Sequence, residues 1–193
     1  MAQDPLNNPP KTYEELFERT ANDAGAWLAS AEGLAAAGEA VKRDDDNTGG
    51  AKLLADKGTL TPKRSVYVML LGYAIECALK GLLAKAGKAP GTAAGTLERR
   101  FKTHKLGDLA DAARVSLSAA EKETLVWLSC YVEYMGRYPI PTKWDRWMDE
   151  PAIGFALEVD ASRTRTRVRW SEAEHLATAE AIFAKLAQDL KSP

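Results

Sequence analysis

Side chains able to do chemistry are few in this sequence: two histidines, His104 and His175, and two cysteines, Cys77 and Cys130. The histidines lie far apart and the cysteines fall in different apolar helical patterns, so no cluster has familiar metal-ligand spacing. No metal or other cofactor is expected. Gly87, Gly91 and Gly95 follow a helical pattern instead of a strand, and match neither the phosphate-binding loop nor the dinucleotide fingerprint. No strand-turn-helix elbow presents a serine or cysteine nucleophile.

Charged features remain. Glu76 and Lys80 stand four apart in an otherwise apolar run, the spacing of facing neighbours on a helix. Arg163, Arg165, Arg167 and Arg169 alternate along a strand-like stretch and make a concentrated basic patch. Two roles stay open for it: binding an anionic partner, or pairing across a ribbon with Glu158 and Asp160. Asp44, Asp45 and Asp46 read as solvated charge in a loop, because adjacent residues there rarely converge on one cation.

The elements that must position these residues are mainly helices. Thr12 and Glu15 form a capping box opening a helix that carries Tyr13, Leu16, Phe17, Trp27, Leu28, Ala31 and Leu34 on one stripe. Residues 42–60 are aperiodic and Gly-containing, which predicts a mobile loop. Thr61 as N-cap and Pro62 at the first helical position open a second helix, apolar on nearly every side from Val66 to Leu83. Its charges, Glu76 and Lys80, favour a central bundle helix over a membrane span. Thr103 caps a short helix with Leu106, Leu109, Ala110 and Ala113. Ser118 and Glu121 box the start of another, with Leu125, Leu128, Tyr131, Val132 and Met135 on one face and Gly136 at its end. Residues 137–151, rich in Pro and Trp, fold over the bundle end. Residues 153–170 alternate like a two-stranded ribbon. Ser171 and Glu174 then box the last helix, with Leu176, Ala179, Phe183, Leu186 and Leu190 inward. The tryptophans serve as core and loop anchors.

The expected fold is therefore all-α: an antiparallel four-to-five-helix bundle with a small two-stranded β ribbon before the last helix. At 193 residues, 46% hydrophobic and 27% charged, the chain suits one domain over 1–193, with residues 1–11 flexible. Lys plus Arg total 26 against 27 for Asp plus Glu, so no global positive field gathers nucleic acid, and any contact with it must be local. Two unpaired thiols and an N-terminus without an apolar leader pattern point to a reducing cytoplasm.

Three stretches carry a family likeness: Tyr73 to Leu83 with Glu76, Cys77 and Lys80; Thr103, His104, Leu106 and Leu109; and Tyr134 to Pro139 with Gly136, Arg137 and Tyr138. Together they resemble the HEPN superfamily of bacterial and archaeal helical proteins. The resemblance covers roughly Tyr13 to Leu190. It implies an antiparallel helical bundle, homodimerisation, and roles around RNA, nucleotides, toxin-antitoxin pairs and phage defence.

In the ribonuclease branch of that superfamily, Arg followed after four to six residues by His cuts single-stranded RNA without metal. A neutral imidazole takes the 2′-hydroxyl proton while a guanidinium stabilises charge on the phosphate. Arg99 with His104 and Arg169 with His175 meet that spacing, with four and five residues between. The alternatives are a capping or interfacial role for His104 and an exposed first-turn position for His175. Glu76 and Lys80 either line a groove with Arg137, which would grip phosphate, and Tyr138, which would stack a base, or Glu76 locks Arg137 at the bundle end. Three functions follow: a non-catalytic protein interacting with RNA or nucleotide, a metal-independent ribonuclease, and a helical module for a cognate protein partner without nucleic-acid contact.

Overall fold

The run from Val66 to Leu83 has no polar face, so it must be covered all round, and its neighbours are arranged to do so. A computed structural model describes residues 12–52, 60–88, 91–92, 96–135, 156–159, 165–168 and 172–192, which are mostly helical. Among them, the helices of eight residues or more are α1 (Tyr13–Asn22), α2 (Ala24–Asn47), α3 (Pro62–Lys85), α4 (Leu106–Ala113), α5 (Ala119–Cys130) and α6 (Glu172–Lys191). A 3-10 turn, Arg99–Lys102, leads toward α4, and α5 runs on into a π-helical turn, Tyr131–Met135. Backbone pairing joins β1 (Gly91–Thr92) to β2 (Thr96–Leu97) and β3 (Ala156–Val159) to β4 (Arg165–Val168), both antiparallel.

α3 touches α2 most extensively and also meets α1, α4, α5, α6 and the π turn. Val68, Leu71, Ile75, Leu79 and Leu83 of α3 join Leu106, Leu109, Leu125, Leu128, Leu176, Ile182 and Leu186 in one core. By length and composition α3 could cross a membrane, yet 67% of its most apolar window is buried inside the protein. Gly72 permits close approach of the π turn, since a Cβ there would lie 2.5 Å from Val132 Cγ2. The expected caps at Thr61-Pro62 and Ser118-Glu121 are present, the latter as a full reciprocal box.

Several expectations are corrected. The first helix is two helices: Asp23 breaks it and caps α2, its Oδ1 accepting the Gly25 N–H at 2.8 Å. Tyr13 and Leu16 are exposed, not core, because α1 buries Ala21 instead. The loop expected over 42–60 starts later. α2 continues to Asn47 and residues 50–52 are helical again, while 53–59 lie outside the described residues. Thr103 does not cap α4, which begins at Leu106; its hydroxyl accepts the Lys105 N–H, and Ser129 Oγ takes the Leu106 N–H. In the strand register Glu158 stands opposite Thr166, while Arg165 and Arg167 stand opposite Val159 and Leu157, so the expected pairing of Glu158 with these arginines is not the one the register makes. Gly136, residues 137–151, Asp160 and the Ser171 cap lie outside the described residues.

Of the three aspartates expected to be solvated, Asp44 and Asp46 are exposed and Asp45 is buried, and all three are paired. Lying at the end of α2, they meet the first turn of α3. Arg64 Nε donates to Asp45 Oδ2 at 2.8 Å and its Nη2 to Asp46, Thr61 Oγ1 donates to Asp45 Oδ1, and Lys63 Nζ donates to Asp44 at 2.6 Å. Arg64 and Asp45 are almost wholly buried, so this clamp joins α2 to α3 by charge inside the fold. Gly50 makes room for it: a Cβ there would fall 2.1 Å from Asp45 Oδ2.

Removing one partner of a buried pair strands the other charge, which costs about 3–5 kcal/mol. Arg64→Met should lower stability by about that amount in urea unfolding, and adding Asp45→Asn should restore part of the loss. A loss below about 1 kcal/mol in the single variant would contradict the clamp.

Candidate functional site

Glu76 and Lys80 lie one turn apart on α3, where the helix is otherwise apolar. Both are buried, and Lys80 Nζ donates to Glu76 Oε1 at 2.6 Å. The second carboxylate oxygen, Oε2, lies 2.9 Å from His104 Nδ1. Burial of the pair depends on this mutual neutralisation, because either charge alone would be costly in the core.

His104 reaches Glu76 on a short connection between the 3-10 turn and α4. Phe101 and Leu106, both fully buried, anchor that connection on either side. Tyr73, one turn before Glu76, sets its ring edge-on to the imidazole with centroids 6.1 Å apart, and its hydroxyl donates to Val132 O in the π turn. On the far side of the pair the Lys80 ammonium lies 5.9 Å over the Trp27 ring. Gly81 lets that indole close in, a Cβ there falling 3.0 Å from Trp27 Cβ. Trp27 also walls a cleft of about 250 Å³ lined by Phe17, Ala21, Ala26 and Leu97.

The chemical consequence concerns the tautomer. A carboxylate only accepts, so it holds the hydrogen on Nδ1 and leaves the lone pair of the neutral ring on Nε2. The His104 side chain is 46% exposed, whereas Glu76 behind it is 8% exposed. A buried acid thus orients a half-exposed imidazole, an arrangement suited to accepting a proton from a ligand at the surface.

No family model, curated protein or solved structure matches the chain.

The other sequence-selected residues are distributed differently. Arg99 opens the 3-10 turn, five positions before His104. Arg165 and Arg167 lie in β4; Arg137, Tyr138, Arg163 and Arg169 lie outside the described residues. His175 is not the exposed first-turn residue expected. It is buried on α6, its Nδ1 lies 2.8 Å from Thr124 Oγ1, and its ring stacks on Trp127 with centroids 5.3 Å apart. His104 and His175 share none of these partners. Among the described residues, no group of three His, Cys, Asp or Glu is placed to hold a metal ion.

Sequence reasoning missed Tyr73 and Trp27 as parts of this site, since aromatic residues at helical spacing read as core. It also missed a second basic run, Arg99-Arg100-Phe101-Lys102-Thr103-His104-Lys105, with four Arg or Lys in seven residues. That density was available as a signal.

Burial pulls the His175 pKa below its usual 6.5, with Glu123 and Glu174 opposing the shift. The unfolded chain therefore binds the proton where the folded one does not, and stability rises with pH through a window ending near 6.5. Glu172, raised by burial although the Leu60 N–H and Tyr131 hydroxyl bond it, acts with the opposite sign above its usual value. Unfolding measured against pH should show stability falling as pH drops below about 6.5, and His175→Gln should flatten that slope. An unchanged slope in the variant would remove His175 as its source.

Proposed function

We propose that this chain is a HEPN-like antiparallel helical bundle, acting as a cytoplasmic homodimer, that engages RNA or a nucleotide in a bacterial stress, toxin-antitoxin or defence setting. The observation that carries the reading is convergence. Glu76 of the first family-like stretch, paired there with Lys80, lies 2.9 Å from His104 of the second, 28 positions away. Tyr73, from the first stretch, bonds Val132 in the turn that leads into the third. Residues that resembled the family in isolation are neighbours in space, and the group they form is half-open to solvent and able to exchange a proton.

A sharper variant is supported by the orientation of His104. In a metal-independent ribonuclease, Nε2 of His104 would take the proton of an RNA 2′-hydroxyl. The freed oxygen would attack the adjacent phosphorus, and the 5′-oxygen would leave with a proton from water, giving a 2′,3′-cyclic phosphate. Glu76 would hold the ring and stabilise the imidazolium, and Arg99 is the guanidinium at family spacing. His175, buried and stacked, is the weaker base candidate.

Incubation with labelled single-stranded RNA tests this. General-base loss is worth about 10²–10⁴ in rate, so His104→Ala should reduce cleavage by at least about 100-fold, with His175→Gln nearly unchanged. Intact RNA with the wild-type protein would end the catalytic variant. Absence of RNA and nucleotide binding at low salt would end the whole reading in favour of a protein-interaction module.

A further inference from the structure

α1 turns apolar residues outward. Tyr13 is 90% exposed and Leu16 47% exposed, although burial would stabilise both. With Phe17 and Thr20 they follow the spacing i, i+3, i+4 and i+7, which places all four on one face of the helix. Single exposed apolar residues are ordinary, but this strip does not end in solvent. Phe17 and Thr20 run into the cleft of about 250 Å³ that Ala21, Ala26, Trp27 and Leu97 help to line. Two polar groups beside the cleft are already engaged, Trp27 Nε1 donating to Ala21 O at 2.7 Å and Ser30 Oγ to Ala26 O at 3.0 Å. What the cleft offers an occupant is therefore mainly apolar surface.

The borders of the strip carry an excess of negative charge. Glu14 and Glu18 stand one turn apart along one border, and neither forms an ion pair with another described residue. On the opposite border Glu15 stands four positions before Arg19, so those two charges offset each other.

We infer that this strip and cleft are a docking surface for a basic amphipathic helix of a partner protein. A bulky apolar side chain of that helix fills the cleft, and its Lys or Arg side chains face Glu14 and Glu18. From Tyr13 to Thr20 the strip runs about 10 Å along the helix axis, the scale on which one helix reads another through i, i+3, i+4 and i+7 anchors. An apolar side chain seated in a pocket is the kind of contact that dominates binding energy. Charge selects among occupants. An antiparallel second copy of the strip would set Glu14 and Glu18 beside their own counterparts, and an anionic lipid surface would be repelled by them. The inference adds a surface to the reading above and does not depend on it. Of these residues only Trp27 also touches the His104 group, through Lys80.

The test titrates the full chain with a labelled peptide helix of about 18 residues, carrying Leu and Trp on one face and Lys on the other, beside a twin with Glu in place of Lys. The Lys peptide should bind, and the Glu twin should bind about tenfold more weakly or worse. Tyr13→Ser/Leu16→Ser should weaken the Lys peptide by about tenfold, and so should Ser30→Leu, which fills the cleft from an exposed position. Glu14→Gln/Glu18→Gln should reduce the dependence of binding on salt. A control, Val126→Ser, removes a 49% exposed side chain on α5 and should change nothing. Equal unfolding temperatures would verify that the variants are folded. No binding of the Lys peptide, equal binding of the two peptides, or binding unaltered in both the strip and the cleft variants would each overturn the inference. A dimer in sedimentation that Tyr13→Ser/Leu16→Ser dissolves would overturn it in favour of a second copy. None of these outcomes bears on RNA cleavage or RNA binding, which are measured separately.

Discussion

The ion pair between Glu76 and Lys80 is the constraint on which the centre of the molecule depends. α3 is covered by other elements along its length, and yet it contains a carboxylate and an ammonium that water would otherwise solvate. Their contact at 2.6 Å is what allows this turn of α3 to be buried. It also decides what lies around it. Trp27 of α2 covers the ammonium, Gly81 admits that indole, and the remaining carboxylate oxygen faces outward to His104. A pair needed for burial therefore leaves one acceptor available at the edge of the core, and the imidazole occupies it.

The two histidines show how one residue type acquires opposite characters. His175 stacks on Trp127 and bonds Thr124, and burial disfavours its charged form. It belongs to the packing between α5 and α6. His104 keeps about half its surface in solvent, and the group behind it is an acid, so its ring is oriented without being enclosed. Motif spacing from an arginine was equal support for both. Environment separates them.

Charge inside the fold recurs at the Asp45–Arg64 clamp, where the end of α2 meets the start of α3. Adjacent aspartates in a polar stretch read naturally as solvated, because nothing in their own neighbourhood supplies a partner. Their partners come from residues 18 and 19 positions away, delivered by a helix that begins with Thr61 and Pro62. Burial of Asp45 follows from that encounter, and Gly50 is the local concession to it.

The helical character, the apolar faces of α3, α5 and α6 and the caps at Thr61 and Ser118 were legible from the sequence alone, because they depend on periodicities and hydrogen bonds within a few residues. The short basic run around His104 was equally legible, as a matter of composition. Only tertiary structure decided that the first helix breaks at Asp23, that Asp45 and His175 are buried, and that Glu76 joins Lys80 to His104. Those outcomes turn on which elements pack together across tens of residues. A side chain's burial and partners are set there, by whatever surface closes over it, and local pattern carries no record of that surface.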